Sequence, residues 1–222
     1  MNDLSQESLL REIDEDIRRE RYARLWKRFG NYIVAAVVAV LLGIGGYQFW
    51  QHRAEAQREE ASARLSSATA LIATDRAAAE QNLASLAGDG PAGIAVLAAL
   101  RQAALLAEGG DGPAARAVYQ QVQRSASDPL YRDLAVLREG MVALGKENVP
   151  IDADALIEKL KPLTADSSPW RFSARELTAL LASRSGQVTE ARNLLQTLSA
   201  DPLAPPDVRE RAQQLMGDLA GG

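Results

Sequence analysis

The chain contains 222 residues and has a formal net charge of −4, from 25 Lys and Arg residues against 29 Asp and Glu residues. This mild acidity disfavours a protein that coats nucleic acid, so we expect no nucleic-acid partner. The absence of Cys excludes a disulfide framework, a Cys-ligated metal and a thiol nucleophile, and the single His excludes a metal site built from several histidines. We therefore expect no metal and no other cofactor.

The first segment, 1–28, is dense in charge, with seven basic and seven acidic side chains. Its apolar residues recur at helical spacing and predict a helix with a narrow apolar stripe, formed by Leu9, Leu10, Ile13 and Ile17. We interpret this segment as a cytoplasmic, solvated juxtamembrane helix whose charges set the topology. The alternative is that its basic cluster contacts anionic lipid headgroups.

The next segment, 29–51, contains 23 residues without one charge. As a helix it would span roughly 34 Å, which is enough for a hydrocarbon core of about 30 Å. Aromatic side chains stand at both ends, as in the aromatic belts of membrane helices, and these are Trp26, Phe29, Tyr32, Tyr47, Phe49 and Trp50. The sequence predicts a single transmembrane helix in a lipid bilayer. The alternative is a buried core helix.

A cleaved signal peptide is a second alternative, because Ala54-Glu55-Ala56 imitates a cleavage site. The apolar stretch exceeds the usual 7–15 residues of a signal-peptide core, and the preceding charges are mixed rather than basic. We therefore predict an uncleaved anchor. Residues 14–28 hold six basic side chains and residues 51–65 hold three, which predicts a cytoplasmic N-terminus. In a Gram-negative bacterium the protein would be a single-pass inner-membrane protein with its body in the periplasm.

Small residues recur every four positions within the predicted span, at Ala35, Ala39 and Gly43. This spacing lets a second helix approach closely. It indicates helix packing either with another copy of the chain, as a homodimer, or with a different membrane protein. Chance in a segment rich in Ala, Val and Gly is the alternative.

The remainder is Ala-rich and shows no convincing two-residue alternation, so we predict an all-α fold. A helical stalk over 52–75 leads into a repeat domain over 76–222. Gly and Pro divide that domain into helices. The predicted helices are 76–87, 92–108, 113–126, 130–145, 152–163, 169–185, 187–199 and a C-terminal capping helix at 205–220, with Asp152 as a plausible N-cap.

One apolar pattern occurs three times at a period of 38 residues. Each copy lies on the second helix of a pair, where its apolar face must bury against neighbouring helices. The repeat-packing positions are Ala115, Ala153 and Ala191, followed four residues later by Tyr119, Ile157 and Leu195. An irregular bundle with accidental register is the alternative. Small residues also lie twelve positions before two of these, at Ala103 and Ala179, where paired helices would cross closely.

This combination of small residues, aromatic or aliphatic partners and a period in the thirties resembles tetratricopeptide repeats. The full layout, from the Lys27-Arg28-Phe29-Gly30 junction through the apolar stretch into an Ala/Glu/Arg-rich helix and degenerate repeats, resembles the YfgM-type family of ancillary SecYEG translocon subunits. The resemblance implies a transmembrane helix followed by a TPR-like α-solenoid. It also implies association with the SecYEG translocon and with periplasmic chaperones such as PpiD.

No catalytic set stands out, so we expect a non-enzymatic protein. Possible partner contacts are an aromatic–Arg step repeated 39 residues apart, Tyr131-Arg132 and Trp170-Arg171. Aromatic residues and Arg are enriched at interaction hot spots, although both aromatics could instead be packing residues. The favoured hypothesis is a membrane-tethered scaffold at the translocon that helps handle secretory proteins. The alternative is an envelope scaffold for cell division or for assembly of a membrane complex.

Overall fold

A computed structural model describes residues 3–145 and 152–221. Within these residues every regular element is a helix, which confirms the predicted all-α class. The α-helices are α1 (Asp3–Leu71), α2 (Arg76–Asp89), α3 (Ala92–Glu108), α4 (Gly112–Ser125), α5 (Pro129–Ala143), α6 (Ala153–Leu160), α7 (Arg171–Arg184), α8 (Val188–Ala200) and α9 (Pro206–Gly221). A 3-10 helix covers Lys161–Thr164.

The chain divides into two compact units, one ending at Gln57 and one beginning at Arg58. In the first unit, ten large apolar side chains of α1 are exposed, and these are Tyr32, Val34, Val38, Val40, Leu41, Leu42, Ile44, Tyr47, Phe49 and Trp50. The side chains of residues 1–26, Arg28, Phe29, Ile33, Ala36 and Val37 lie outside those that the structure describes. None of the described helices combines the length and the apolar character that a bilayer crossing requires. The predicted membrane span at 29–51 stays a prediction.

From α2 onward, the second unit is an array in which each helix packs on the next along the chain, and from α3 onward each first helix of a pair also contacts the first helix of the following pair. Helix α3 contacts α5, α5 contacts α7, and α7 contacts α9, while α4 and α8 join the helices on either side of them. A helix pair repeated in this way buries a continuous core by stacking.

The core is a series of buried clusters, each shared by successive helices. Leu83 belongs to the cluster of α1, α2 and α3, and Tyr119 to that of α3, α4 and α5. Leu160 belongs to the cluster of α5, α6 and α7, and Leu195 to that of α7, α8 and α9. All four side chains are at most 2% exposed. The core therefore runs the length of the array instead of collecting at one centre.

Aspartates begin several helices, as side-chain N-caps. The Asp111 carboxylate accepts a hydrogen bond from the Ala114 N–H at 3.0 Å, and Asp152 accepts one from Ala155 at 2.9 Å. Such caps satisfy backbone donors that have no partner inside the helix. Asp75 and Asp128 cap α2 and α5 in the same manner.

One predicted helix is in fact two elements. The sequence predicts a single helix over 152–163, whereas α6 ends at Leu160 and a 3-10 turn follows it. Pro162 explains the change, because its ring removes a backbone N–H and clashes with the preceding helical turn. The other predicted helix ends of the repeat domain lie within two residues of those observed, whereas α1 ends at Leu71, four residues before the predicted end of the stalk.

Candidate interaction surface

A groove of about 440 Å³ opens between the first helices of two successive pairs, α3 and α5. Its lining comprises Ala104, Ala107 and Glu108 of α3, Gly110, Gly112 and Tyr119 from the following turn and α4, and Arg138, Met141, Val142 and Gly145 from α5 and its end. This volume falls within the range of ligand clefts. Small residues on the α3 side leave the space open, since their side chains do not reach across to α5.

The groove has an apolar interior and a charged rim. Tyr119 is 2% exposed, whereas Met141 on the wall is 47% exposed. At the rim, the Glu108 Oε2 lies 4.0 Å from an Arg76 guanidinium nitrogen. Arg138 is exposed and makes no ion pair or hydrogen bond with the part of the chain that the structure describes. The rim thus offers one positive charge to a ligand.

The two rim charges, on Arg138 and Glu108, both affect the pKa of the Tyr119 phenol. Burial raises its pKa above the ordinary value, Arg138 lowers that pKa and Glu108 raises it, with a net increase. The hydroxyl therefore stays protonated at neutral pH, so it can donate a hydrogen bond and has no role as a base.

A buried carboxylate on α5, next to this groove, accepts hydrogen bonds from side chains of two neighbouring helices, α4 and α6. Glu139 is 1% exposed, and its oxygens accept hydrogen bonds from Gln120 Nε2 at 2.5 Å, Gln123 Nε2 at 2.9 Å and Lys159 Nζ at 3.1 Å. Burial alone would raise its pKa, but the three hydrogen bonds and the Lys159 charge outweigh burial and hold the pKa below its ordinary value. The network fixes α4, α5 and α6 against one another.

Sequence reasoning missed both Arg138 and Glu139. It treated acidic residues as members of solvated faces, which is their usual place. A signal was present, because Glu139 lies four residues after Ala135 and therefore on the same face of the helix. Ala135 is fully buried. A single carboxylate on a buried face indicates a paired polar network.

The predicted repeat-packing residues differ in burial between copies. Ala115 and Ala191 are fully buried, Tyr119 and Leu195 nearly so, while Ala153 and Ile157 of the middle copy are half-buried. The middle copy lies on α6, the shortest of the described α-helices at 8 residues. Their common role in repeat packing stays a prediction.

The structure does not bring the four predicted contact residues together. Tyr131 packs against the core of α3, α4 and α5, and Trp170 packs against that of α5, α6 and α7. Arg132 is exposed and donates to the Ala126 carbonyl at 3.4 Å. The Arg171 guanidinium lies 4.1 Å from the centre of the Phe172 ring. None of the four lines the groove, and their contact role stays a prediction.

The small residues Ala35, Ala39 and Gly43 are exposed on α1. A Cβ added at Gly43 would meet no atom within 4 Å. The face is therefore open to a second helix, and its packing role stays a prediction.

A known family shares this organisation of stacked helix pairs. Residues 23–201 match the tetratricopeptide repeat-like domain. This chain belongs to the tetratricopeptide repeat-like domain family. A curated relative, the "Ancillary SecYEG translocon subunit" of Neisseria gonorrhoeae (strain ATCC 700825 / FA 1090), is 26% identical over 190 residues, which cover 80% of this chain and 88% of the relative. No solved structure matches the chain significantly.

These matches confirm the resemblance to the YfgM-type family on which the sequence prediction rested. The match to the tetratricopeptide repeat-like family agrees with the predicted TPR-like array of helix pairs. Domains of this kind present helix surfaces to other proteins. The fold and the family are those of a protein-interaction adaptor.

Proposed function

We propose that this protein is a non-enzymatic adaptor of the SecYEG translocon, anchored in the inner membrane by a single helix. Its repeat unit stands in the periplasm and handles secretory proteins together with chaperones such as PpiD. The observation that carries the proposal is the similarity to the gonococcal ancillary translocon subunit along most of both chains. The helix-pair array supports it, because stacked repeats offer extended surfaces to partner proteins.

The proposed anchor is the segment 29–51. Its support is the row of exposed apolar side chains on α1, since exposed apolar surface on this scale marks contact with a membrane or a partner. Tyr47, Phe49 and Trp50 are each at least 60% exposed and stand at one end of the segment, where aromatic rings favour the headgroup level. The basic residues before the segment orient the N-terminus towards the cytoplasm.

Within the anchor we propose that Ala35, Ala39 and Gly43 pack against a helix of the translocon, with a second copy of this chain as the competing partner. In hydrocarbon, helix association depends on close van der Waals contact, which small residues permit. In the repeat unit, the two aromatic–Arg steps, Tyr131-Arg132 and Trp170-Arg171, are proposed secondary contacts with chaperones. The exposed position of Arg132 supports this assignment.

Site-specific photo-crosslinking in intact cells tests the proposal. A photoreactive amino acid is placed at Ala39 in the proposed anchor, at exposed Arg132 in the repeat unit, and at exposed Gln196 on α8 as a matched control. We expect a translocon subunit to be captured from position 39 and a chaperone or a secretory protein from position 132. Capture of division or complex-assembly proteins instead of these would select the alternative envelope scaffold and contradict the proposal.

A further inference from the structure

We propose that the repeat unit docks one of its edges on the surface of the lipid bilayer, through the exposed side chains of Leu130 and Leu203. This turn edge is formed by the first residues of α3, α5, α7 and α9 and by the connections before them, which are 90–91, 126–128, 165–170 and 201–205. The inference rests on the membrane anchor of the proposed function, and it adds a contact that the repeat unit itself makes with lipid.

The four connections lie along one side of the array, because successive helices alternate in direction. Connections of two to six residues join helices that run antiparallel. Arg175 lies against both Asp166 and Asp201, which belong to neighbouring connections. Arg64 of α1 lies 3.5 Å from Asp89 at the end of α2. The chain therefore reaches the turn edge about two helical turns after it enters the repeat unit.

The same three-residue turn presents both leucines. The sequence Asp-Pro-Leu occurs at 128–130 and at 201–203. In each copy the Asp carboxylate accepts a hydrogen bond from the Leu N–H, at 2.8 Å for Leu130 and 2.9 Å for Leu203. Leu130 is 46% exposed and Leu203 is 73% exposed. Because the turn and the proline fix the backbone, little conformational entropy is lost when these side chains leave water, and their burial favours docking.

A fluid bilayer fits this arrangement better than a shaped protein surface does. Leu130 begins α5 and Leu203 precedes α9, and α7 lies between those two helices. Since the axes of packed helices are about 8–10 Å apart, roughly 16–20 Å separates the two leucines. A protein interface of this extent requires close complementarity across its core. Lipid accommodates separate apolar side chains at the headgroup boundary.

The proposed anchor keeps the repeat unit near the membrane. Its last residue, Gln51, precedes the first residue of the repeat unit, Arg58, by seven positions. Even a fully extended chain of this length reaches only about 25 Å. The repeat unit is therefore held at a high effective concentration at the bilayer surface. Two leucines can then produce docking that would be weak without the tether.

Charge favours the turn edge over the opposite edge, which is formed by the starts of α2, α4, α6 and α8. At the turn edge, Asp89, Asp166 and Asp201 are paired with arginines. The opposite edge carries acidic side chains that form no ion pair with the part of the chain that the structure describes, and these are Asp75, Asp111, Asp152, Asp154 and Glu190. Anionic headgroups repel such carboxylates, so the bilayer accepts the turn edge more readily.

Fluorescence quenching by lipid tests the inference on the full-length chain, reconstituted into vesicles of phosphatidylethanolamine and phosphatidylglycerol. Because the chain has no Cys, a single substitution accepts one fluorophore. The positions are Leu42→Cys in the proposed span, Ser127→Cys at the turn edge and Thr74→Cys at the opposite edge, all of them exposed. The quencher is a nitroxide on the lipid acyl chain, close to the headgroup. We expect strong quenching at positions 42 and 127 and loss of most of it at position 74.

Two variants of the Ser127→Cys chain assign the quenching to the leucines. Leu130→Gln with Leu203→Gln should lower the ratio of docked to free repeat units about tenfold, the size expected when two partly exposed leucines no longer enter an apolar phase. Val188→Gln is the matched control, because it removes a side chain of the opposite edge that is 39% exposed. This control should leave the quenching unchanged.

The outcomes separate the docking from the anchor. Quenching at position 42 without quenching at 127 would overturn the inference and leave the anchor in place. Equal quenching at 127 and 74, or quenching at 127 that survives the double leucine substitution, would also overturn it. A shielded fluorophore at 127 that lipid does not quench would indicate cover by a second copy or another protein, with the same consequence. Absence of quenching at 42 would contradict the anchor and, with it, the inference.

Discussion

Gly140 of α5 lies so close to Leu177 of α7 that a Cβ at position 140 would stand 2.7 Å from the Leu177 Cδ2 atom. Leu177 is only 3% exposed, so its side chain has little room to turn away. The absence of a side chain at position 140 thus sets how closely the first helices of two successive pairs approach.

Gly140→Ala is expected to destabilise the repeat unit by about 1–2 kcal/mol, because overpacking outweighs the gain in helix propensity. Gly217→Ala on α9 is the matched control, since a Cβ there would meet no atom within 4 Å. The control should stabilise by up to about 1 kcal/mol. Urea denaturation followed by far-UV circular dichroism measures both. Stabilisation by both substitutions would show that the α5–α7 contact tolerates a methyl group.

Glu139→Ala should destabilise the repeat unit by about 2–4 kcal/mol, because it removes a buried acceptor and leaves two glutamines and a lysine without their partner. Lys159→Gln is the companion variant. Its effect should be below about 1 kcal/mol, since the Lys159 side chain is 42% exposed and water replaces part of the ion pair. The same urea titration distinguishes them, and equal losses would contradict the network described here.

The stability should fall in acid because of Glu139. Its folded-state pKa lies below the ordinary value near 4.5, so the ionised form stabilises the fold above that pH and this contribution is lost as the pH falls through the folded pKa. Glu139→Gln lacks a titrating group at this position. The difference in unfolding free energy between the wild-type chain and Glu139→Gln should therefore shrink as the pH is lowered below about 4.5. A difference that is constant with pH would contradict the depressed pKa.

The tetrapeptide Gly-Asp-Gly-Pro occurs twice in the chain, at 88–91 and 110–113. Its Asp has a different role in each copy, so replacing each Asp by Ala gives a matched pair of variants. Asp111 caps α4 at 3.0 Å from the Ala114 nitrogen, whereas Asp89 ends α2 with its carboxylate 3.5 Å from Arg64. Asp111→Ala should cost about 1 kcal/mol through loss of the cap. Asp89→Ala should cost only a few tenths of a kcal/mol, because the ion pair is exposed. Thermal unfolding compares them, and an equal or larger loss at Asp89 would contradict the assignment.

The proposed anchor is tested by paired leucine substitutions. Leu41→Arg with Leu42→Arg should release the protein from membranes, because each Arg near the centre of a span costs about 2.5–3.5 kcal/mol. The matched control is Leu130→Arg with Leu203→Arg, two exposed leucines of the repeat unit. Carbonate extraction of membranes measures the integral fraction. Equal behaviour of the two double variants would contradict an anchor at 29–51.

Helix positions were predictable because they depend on local signals. Asp111 and Asp152 mark helix starts through a side-chain cap, and the pattern around Tyr119 and Leu195 fixes a buried face at a constant period. Such signals are confined to a few neighbouring residues. The sequence therefore predicted the number of α-helices among the described residues of the repeat domain and most of their ends.

Tertiary features were less predictable, because they depend on residues from different helices. Glu139 resembles an ordinary surface acid in the sequence, because its partners Gln120 and Gln123 on α4 and Lys159 on α6 are brought to it only by the fold. Gly140 likewise gains its importance only from the position of Leu177. The groove follows from the spacing of α3 and α5, which no short motif specifies.

Affinity purification of the full-length chain from gently solubilised membranes, with the captured proteins quantified, tests the adaptor proposal most directly. The wild-type chain should recover the subunits of the SecYEG translocon in near-constant ratio, and the Leu41→Arg, Leu42→Arg variant should lose them. Recovery of a division or assembly complex at constant ratio, with the translocon subunits at background level, would contradict the proposal.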